Sequence, residues 1–112
     1  MVVSEVDPTV VEECRRLASS WAPALRALAH EDRLLIALWL AGSTCSVREL
    51  EQVTGLGQSL VSYHLRELRE AGLVTVTARG RSNRYRLANA ELDQLAVLFG
   101  NMQAEAALKL PS

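Results

Sequence analysis

The sequence predicts a single, mainly α-helical domain of the winged helix-turn-helix class, with about five helices and one β-hairpin. Three observations lead to this fold class. Apolar residues recur at helical spacing along most of the chain. Two predicted helices are joined by a short turn that contains Gly55 and Gly57. After Gly72 the pattern changes to a stretch rich in β-branched residues, which is interrupted by a second turn and resumes as a hairpin does.

The first two helices are delimited by polar residues and glycine. Asp7-Pro8 is typical of a helix start, because an Asp side chain accepts backbone N–H groups and proline suits the first helical position. Pro23 is expected to kink or interrupt this helix. A second helix over residues 31–41 is apolar on nearly all sides, so it is predicted to be central and buried, and Gly42 ends it.

A capping box opens the helix-turn-helix. Ser46 supplies the cap hydroxyl and Glu49 the carboxylate three residues later, so a short helix follows. A longer helix runs from the glycine-containing turn to about residue 71, and the whole unit spans about residues 46–71. Its inward-facing residues recur at helical spacing and are predicted to belong to the core: Val61, Leu65 and Leu68.

The wing and the last helix complete the domain. Strands at residues 73–77 and 83–87, joined by a turn at residues 78–82, form a wing that spans about residues 73–87. The last helix, over residues 90–108, has an apolar face wider than one packing contact requires. The first helix, over residues 8–29, also carries an apolar stripe. We therefore expect a homodimer formed through these two terminal helices.

Composition excludes several classes of protein. The chain has 112 residues, of which 49% are hydrophobic and 22% charged, which is typical of one globular domain spanning residues 1–112. The longest apolar stretch, residues 34–41, is too short to span a bilayer, and the N-terminus has no secretory pattern. Two cysteines fit a reducing compartment, so the protein is expected in the cytoplasm, without a membrane partner.

Positive charge is concentrated in one part of the chain. The formal net charge of the whole chain is -1, yet residues 57–87 contain six arginines against two glutamates. This basic segment covers the second helix of the helix-turn-helix and the hairpin. Because protein–DNA affinity depends on local neutralisation of phosphates, this placement indicates double-stranded DNA as a partner.

Several motifs together resemble the ArsR/SmtB family of winged helix-turn-helix repressors. The segment from Gly57 to Val74 resembles the recognition helix of that family, and Ala27 to Leu34 resembles the entry to its second helix. The stretch from Arg79 to Leu87 resembles its wing. The resemblance covers about residues 20–103. It implies a homodimeric, cytoplasmic, bacterial or archaeal repressor that releases the DNA when an effector binds. The two-fold symmetry of such a dimer predicts an inverted-repeat operator.

The predicted DNA contacts lie on the recognition helix and the wing. A helix fits the major groove with its first turns against the base edges, and a basic hairpin lies along the backbone or in the minor groove. The candidate DNA-binding residues are Gln58, Ser59, Ser62, Tyr63, His64, Arg66, Arg79, Arg81, Asn83 and Arg84.

The effector site is where the sequence departs from the family. Metal-sensing members carry acidic and histidine ligands on the last helix, whereas here the stretch offers Asn89, Glu91, Met102 and Glu105. The two histidines, His30 and His64, lack metal-ligand spacing, so no metal site is predicted. Cys14 and Cys45 are the remaining effector or redox candidates.

Two interpretations of the cysteines stay open. The thiolates could hold a thiophilic metal or metalloid, or be oxidised to a disulfide. Alternatively, Cys14 is a buried small hydrophobe in the stripe of the first helix.

Two other function classes fit the sequence less well. An enzyme is excluded, because the sequence contains no phosphate-binding loop, no nucleophile–base pair at recognisable spacing and no metal cluster. A winged-helix module that binds proteins and has no direct DNA role is the alternative. Such a module tends to expose apolar residues on the recognition face, whereas this helix begins with Gln58 and Ser59.

Overall fold

The order of elements confirms the predicted fold class. The computed structural model describes residues 6–109 of the chain and the side chains of residues 6–100. The described elements are α1 (Pro8–Leu28), α2 (Glu31–Gly42), α3 (Val47–Thr54), α4 (Gln58–Glu70), β1 (Val74–Arg79), β2 (Ser82–Leu87) and α5 (Ala90–Lys109). The side chains of Met102 and Glu105 therefore lie outside the described residues.

Polar side chains cap the helices where the sequence predicts it. Asp7 Oδ1 accepts the backbone N–H of Thr9 at 2.8 Å. Ser46 Oγ accepts the backbone N–H of Glu49 at 3.1 Å. Asn89, which was not predicted as a cap, has two roles. Its Oδ1 accepts the N–H of Leu92 at 2.8 Å and its Nδ2 donates to the carbonyl of Gly72 at 2.9 Å, so the start of α5 is tied to the end of the recognition unit.

The helix α1 runs through Pro23, so the prediction of an interruption at Pro23 is wrong, whereas a kink there stays a prediction. Proline lacks a backbone N–H, so the helix gives up the hydrogen bond to the carbonyl four residues earlier. Packing beyond the proline compensates for that loss. Ala24 is 5% exposed, and Ala27 and Leu28 pack against the core cluster.

The core lies between the C-terminal half of α1, the inner side of α2, the helix-turn-helix and the base of the wing. The fully buried large side chains in it are Ile36, Leu50, Val61, Leu65, Leu68 and Leu73. The prediction that α2 is central and buried is confirmed for the side that carries Ile36 and Leu40 and is wrong for the opposite side. Leu38 is 66% exposed and Leu34 and Trp39 nearly half exposed, because only one side of α2 meets the domain core.

The hairpin is tighter than predicted. β1 and β2 pair antiparallel from Val74↔Leu87 to Arg79↔Ser82, so the strands extend into the region expected to be a five-residue turn. Gly80, with φ 59°, occupies the first position of the resulting two-residue turn, where a positive φ is required. Cys45 adds a bridge on the other side of β2, since its N–H and carbonyl both pair with Tyr85, at 2.9 and 2.8 Å.

Candidate nucleic-acid interface

Helix α4 is held rigidly by one side and presents polar groups on the other. Val61, Leu65 and Leu68 are at most 2% exposed, so they fix the helix against the core. Among the sequence candidates on the opposite side, the exposed ones are Gln58, Ser59, Tyr63 and Arg66, and Ser62 is half-buried. Leu60, 42% exposed and missed by sequence reasoning, adds an apolar contact of the kind that meets a thymine methyl group.

The N-terminus of α4 adds backbone donors to this polar face. Its N-cap is Gly57, which has no side chain to accept the first N–H groups of the helix. The helix dipole also places partial positive charge at this end. A helix start with free N–H groups accommodates a phosphate, so both the backbone and the side chains of the first turn favour DNA.

His64 does not belong to the exposed face, and its prediction as a DNA contact is wrong. The side chain is 1% exposed. Its Nδ1 accepts the Arg33 Nε–H at 3.3 Å, and its Nε2 lies 3.9 Å from Asp32 Oδ2. Helical spacing places residue 64 on the same side of α4 as Val61 and Leu68, which is why it points inward. His64 therefore connects α4 to the start of α2.

The wing divides its predicted DNA residues into two groups. Arg79, Arg81 and Asn83 are exposed near the turn. Arg84 is different, because its guanidinium donates to the carbonyl of Thr44 at 2.7 Å and forms an ion pair with Glu49. The same ion pair holds the pKa of the Glu49 carboxyl below its usual range. Arg84 therefore holds the wing to the start of α3, and its predicted contact with DNA stays a prediction.

A polar cleft joins the two halves of the predicted interface. It has a volume of about 800 Å³ and lies between α3, the start of α4 and the wing. Gln58 and Asn83, predicted separately, line the same cleft. Sequence reasoning missed Arg48 and Gln52, which also line it from α3. The capping box could have pointed to Arg48, because this residue lies in the first turn of the helix that begins after Ser46.

Comparison with known proteins identifies the family. The model of the family described as "Bacterial regulatory protein, arsR family" matches residues 30–76, from the start of α2 into β1. The chain is also 37% identical over 84 residues to a biofilm growth-associated repressor from Xylella fastidiosa, covering 75% of this chain and 74% of that protein. The chain belongs to the arsR family of bacterial regulatory proteins.

Solved structures of ArsR-family regulators have the same architecture. The crystal structure of the transcriptional repressor BigR from Xylella fastidiosa superposes with a TM-score of 0.68 at 32% identity, covering 90% of this chain and 98% of that one. A homodimeric winged helix-turn-helix DNA-binding domain from Mycobacterium bovis, described as a possible ArsR-family regulator, superposes with a TM-score of 0.62 at 28% identity. That match covers 96% of this chain and 92% of that one.

Membership of the ArsR family decides between the function classes. ArsR-family regulators bind DNA and form homodimers. The chain is therefore a DNA-binding transcriptional regulator and not an enzyme, and the protein-interaction alternative is set aside. Within residues 6–109, no helix combines the length and the apolar character that crossing a bilayer requires.

The two cysteines of this ArsR-family regulator differ in environment. Both are free thiols. Cys14 is exposed on α1, so the interpretation that it is a buried small hydrophobe is wrong for the single chain. Cys45 is buried and its backbone pairs with the wing at Tyr85. A disulfide or metal–sulfur bond formed at Cys45 would therefore displace the junction between α3 and the wing.

The fold brings together two histidines that their sequence spacing had set apart. The rings of His30 and His64 lie 4.7 Å apart, and ligand atoms of His30, Asp32 and His64 all lie within 4.8 Å of one another. The prediction that their spacing keeps these histidines apart is therefore wrong.

The hydrogen bonds around these rings nonetheless disfavour a metal. His30 Nδ1 accepts the N–H of Asp32 at 3.2 Å, and His64 Nδ1 accepts from Arg33. Each neutral ring then carries its proton on Nε2. A metal-binding histidine instead donates its second N–H to an acceptor. The arrangement is thus a contact between α2 and α4 that is hydrogen-bonded through Arg33, while His64 Nε2 lies 3.9 Å from Asp32 Oδ2, beyond hydrogen-bond distance.

The terminal helices expose apolar side chains. On α1 these include Val10 and Val11, which are 52% and 42% exposed. On α5 three consecutive residues, Val97, Leu98 and Phe99, are between 47% and 63% exposed. At its start α5 is held to α1 by the Ser20 hydroxyl, which donates to Glu91 at 3.2 Å.

Proposed function

We propose that this ArsR-family regulator is a homodimeric, cytoplasmic repressor that binds an inverted-repeat operator and releases it when an effector binds. The DNA-binding part of this proposal rests on the rigid polar face of α4. Its buried side is fixed by three core residues, while its first turns present side-chain and backbone donors next to exposed wing arginines. A helix of this kind fits the major groove.

The apolar faces of α1 and α5 support the dimer. A two-fold axis buries the same patch on both protomers and sets two recognition helices about one DNA turn apart, roughly 34 Å. An inverted repeat is the DNA sequence that matches this symmetry. Repression follows if the operator overlaps the promoter of the regulated gene.

The basic experiment is a gel-shift assay with the DNA upstream of the protein's own gene. Retarded complexes with that DNA, resistant to competition by random-sequence duplex, are expected. Equal affinity for upstream and random DNA would refute the operator-binding proposal. If the complex forms as expected, a footprint defines the operator duplex for the titrations of the variants.

Substitutions on α4 and at the wing tip are expected to differ in kind. Gln58→Ala should reduce discrimination between operator and mutated sites by about 1–3 kcal/mol if a bidentate base contact is lost. Arg81→Ala should weaken binding to all sequences and flatten the salt dependence, since a phosphate contact releases counterions. Titrations of operator and random duplex at several salt concentrations separate the two effects. Equal losses on both duplexes for both variants would contradict this division.

The proposed effector response rests on the thiols. Cys14 lies on a dimerising helix and Cys45 at the wing junction, so a thiophilic ion or a disulfide that joins them would couple the dimer to the DNA-reading unit. With peroxide, two thiols form one disulfide and the peroxide is reduced to water.

We expect arsenite, cadmium, mercury or peroxide to release the operator from the wild type but not from the Cys14→Ser, Cys45→Ser double variant. Gel shifts with and without each reagent measure the release. A Ser43→Ala variant, altered beside Cys45 with both thiols kept, is the matched control and should respond as the wild type does. If the wild type ignores all four reagents, the thiols are structural and the effector is of another class.

A further inference from the structure

A second cleft opens where α2, the end of the wing and the start of α5 meet. Its volume is about 550 Å³, which lies within the range of small-molecule sites. All three elements line it, with Ala41 from α2, Arg86 and Leu87 from β2, and Leu92 and Asp93 from α5. It shares no lining residue with the polar cleft between α3, α4 and the wing, so it is separate from the candidate nucleic-acid interface.

Two opposite charges without partners lie over an apolar floor in this cleft. Leu87 and Leu92 are half-buried and pack against the core cluster, so they form a fixed apolar surface. Arg86 and Asp93 are exposed, and neither forms an ion pair among the side chains of residues 6–100. The cleft therefore offers one guanidinium, one carboxylate and an apolar surface to a single small molecule.

These three features together match the chemistry of an apolar α-amino acid. A guanidinium binds a carboxylate through two parallel hydrogen bonds. A carboxylate accepts hydrogen bonds from an ammonium group, which carries donors only. A simple organic anion would leave the charge of Asp93 unmatched, and a simple amine would leave the charge of Arg86 unmatched. A zwitterion with an apolar side chain satisfies both groups and covers the floor.

The cleft is connected to the end of the recognition helix by two hydrogen bonds. Asn89 and Ala88 both line it. Asn89 Nδ2 donates to the carbonyl of Gly72 at 2.9 Å, and the N–H of Ala88 donates to the carbonyl of Leu73 at 2.9 Å. Gly72 and Leu73 directly follow the C-cap of α4. A ligand held between β2 and the first turns of α5 would therefore act on the angle between α5 and the recognition helix.

We propose that this cleft is an effector site for a free α-amino acid with an apolar side chain. Arg86 holds the carboxylate of the amino acid, Asp93 holds its ammonium group, and the apolar floor holds its side chain. Binding changes the setting of α5 and lowers the affinity for the operator, which is the differential contact that an effector must make. This inference rests on the proposed operator binding and names an organic effector that acts independently of the thiols.

Calorimetric titration of the full chain without DNA tests the binding step. The probes are L-valine, L-leucine, L-isoleucine and L-methionine, at least one of which is expected to bind. The analogues that lack one charged group, which for leucine are 4-methylpentanoate and 3-methylbutylamine, should each bind at least about 10-fold more weakly. Absence of binding by all four amino acids at about 10 mM would overturn the proposal, and so would equal affinity for either analogue.

Two variants separate the roles of the charged groups from damage to the fold. Asp93→Asn should weaken binding of the amino acid about 10-fold without weakening binding of the analogue that lacks the ammonium group. Arg86→Gln should weaken binding of both. The matched control is Glu70→Gln, which removes an exposed carboxylate at the last residue of α4 and should bind the amino acid as the wild type does. Wild-type affinity in both Asp93→Asn and Arg86→Gln would place the ligand elsewhere and overturn the assignment.

Gel shifts with the operator duplex test the regulatory step. A saturating concentration of the amino acid that binds is expected to lower the operator affinity at least about fivefold. The Cys14→Ser, Cys45→Ser double variant should respond in the same way, because the thiols take no part. An unchanged operator affinity at saturation would overturn the effector role. Failure of the protein to bind the operator without any amino acid would instead refute the proposed function, and the calorimetric titrations would still decide whether the cleft binds an amino acid.

Discussion

Replacing Phe99 with glutamate is expected to convert the protein to monomers and to lower its affinity for the operator at least about 100-fold. Phe99 is 56% exposed in the single chain and lies in the apolar part of α5 that the proposed dimer covers. A glutamate there would place a charge in a dehydrated interface on both protomers, a large and unpaired cost. Each monomer would then bind one half-site without the gain from its partner.

Light scattering gives the mass of the variant, and a gel shift gives its affinity. The matched control is Gln94→Glu, which adds the same charge to an exposed polar position of the same helix. This control should remain a dimer and bind as the wild type does. A Phe99→Glu protein that is still dimeric at micromolar concentration would show that α5 does not form the interface, and a monomeric wild type would remove the dimer altogether.

Local rules were sufficient to predict the order of the elements. Helix caps and hairpins depend on residues a few positions apart, so Asp7, Ser46 and Gly55 could be recognised from their neighbours. The short turn of the hairpin was missed because strand length depends on cross-strand pairing, which continues as far as Arg79↔Ser82. Similarly, α1 continues through Pro23 because packing of Ala24 against distant residues offsets the missing hydrogen bond.

The candidate interface was predicted in composition but not in detail. Charge counting identified the basic segment, and helical spacing identified the exposed face of α4. Spacing alone could not assign Arg84, because its partners Thr44 and Glu49 are 40 and 35 residues away in sequence. Long-range pairing of polar groups is therefore the information that the fold adds to the sequence.

The burial of His64 also depends on partners that are distant in sequence. Removal of its side chain is expected to destabilise the protein by about 3 kcal/mol. His64→Ala would leave a cavity beside Leu65 and Leu68 and deprive the Arg33 Nε–H of its acceptor. Urea unfolding at fixed protein concentration measures the change. The matched control, Arg66→Ala, alters an exposed side chain of the same helix and should stay within about 0.5 kcal/mol of the wild type. A loss as small as that of the control would contradict a structural role for His64.

The pH dependence of stability provides an independent test of the same bridge. Burial lowers the pKa of His64, and the nearby His30 and Arg33 lower it further, outweighing the opposite influence of Asp32 and Glu67. The folded state therefore favours the neutral ring. As pH falls through the ordinary histidine pKa of about 6.5, the His64 ring takes up a proton in the unfolded chain but stays neutral in the folded chain. This contribution to stability is thus complete above that pH and is lost progressively below it.

We therefore expect the free energy of unfolding to decrease between about pH 7 and pH 5 in the wild type and to decrease less in His64→Gln, which cannot take up this proton. This pH range is separate from the range in which Glu49 affects stability. Because the pKa of Glu49 is lowered, its contribution to the free energy of unfolding is lost only as pH falls below the ordinary glutamate pKa of 4.5. Urea titrations at closely spaced pH values measure both slopes. Because the ring lies on the recognition helix, the affinity for the operator is expected to weaken over the same interval in the wild type more than in His64→Gln. Identical slopes in the two proteins would show that His64 titrates alike in the folded and unfolded chain, and that its burial against Arg33 and His30 does not persist in solution.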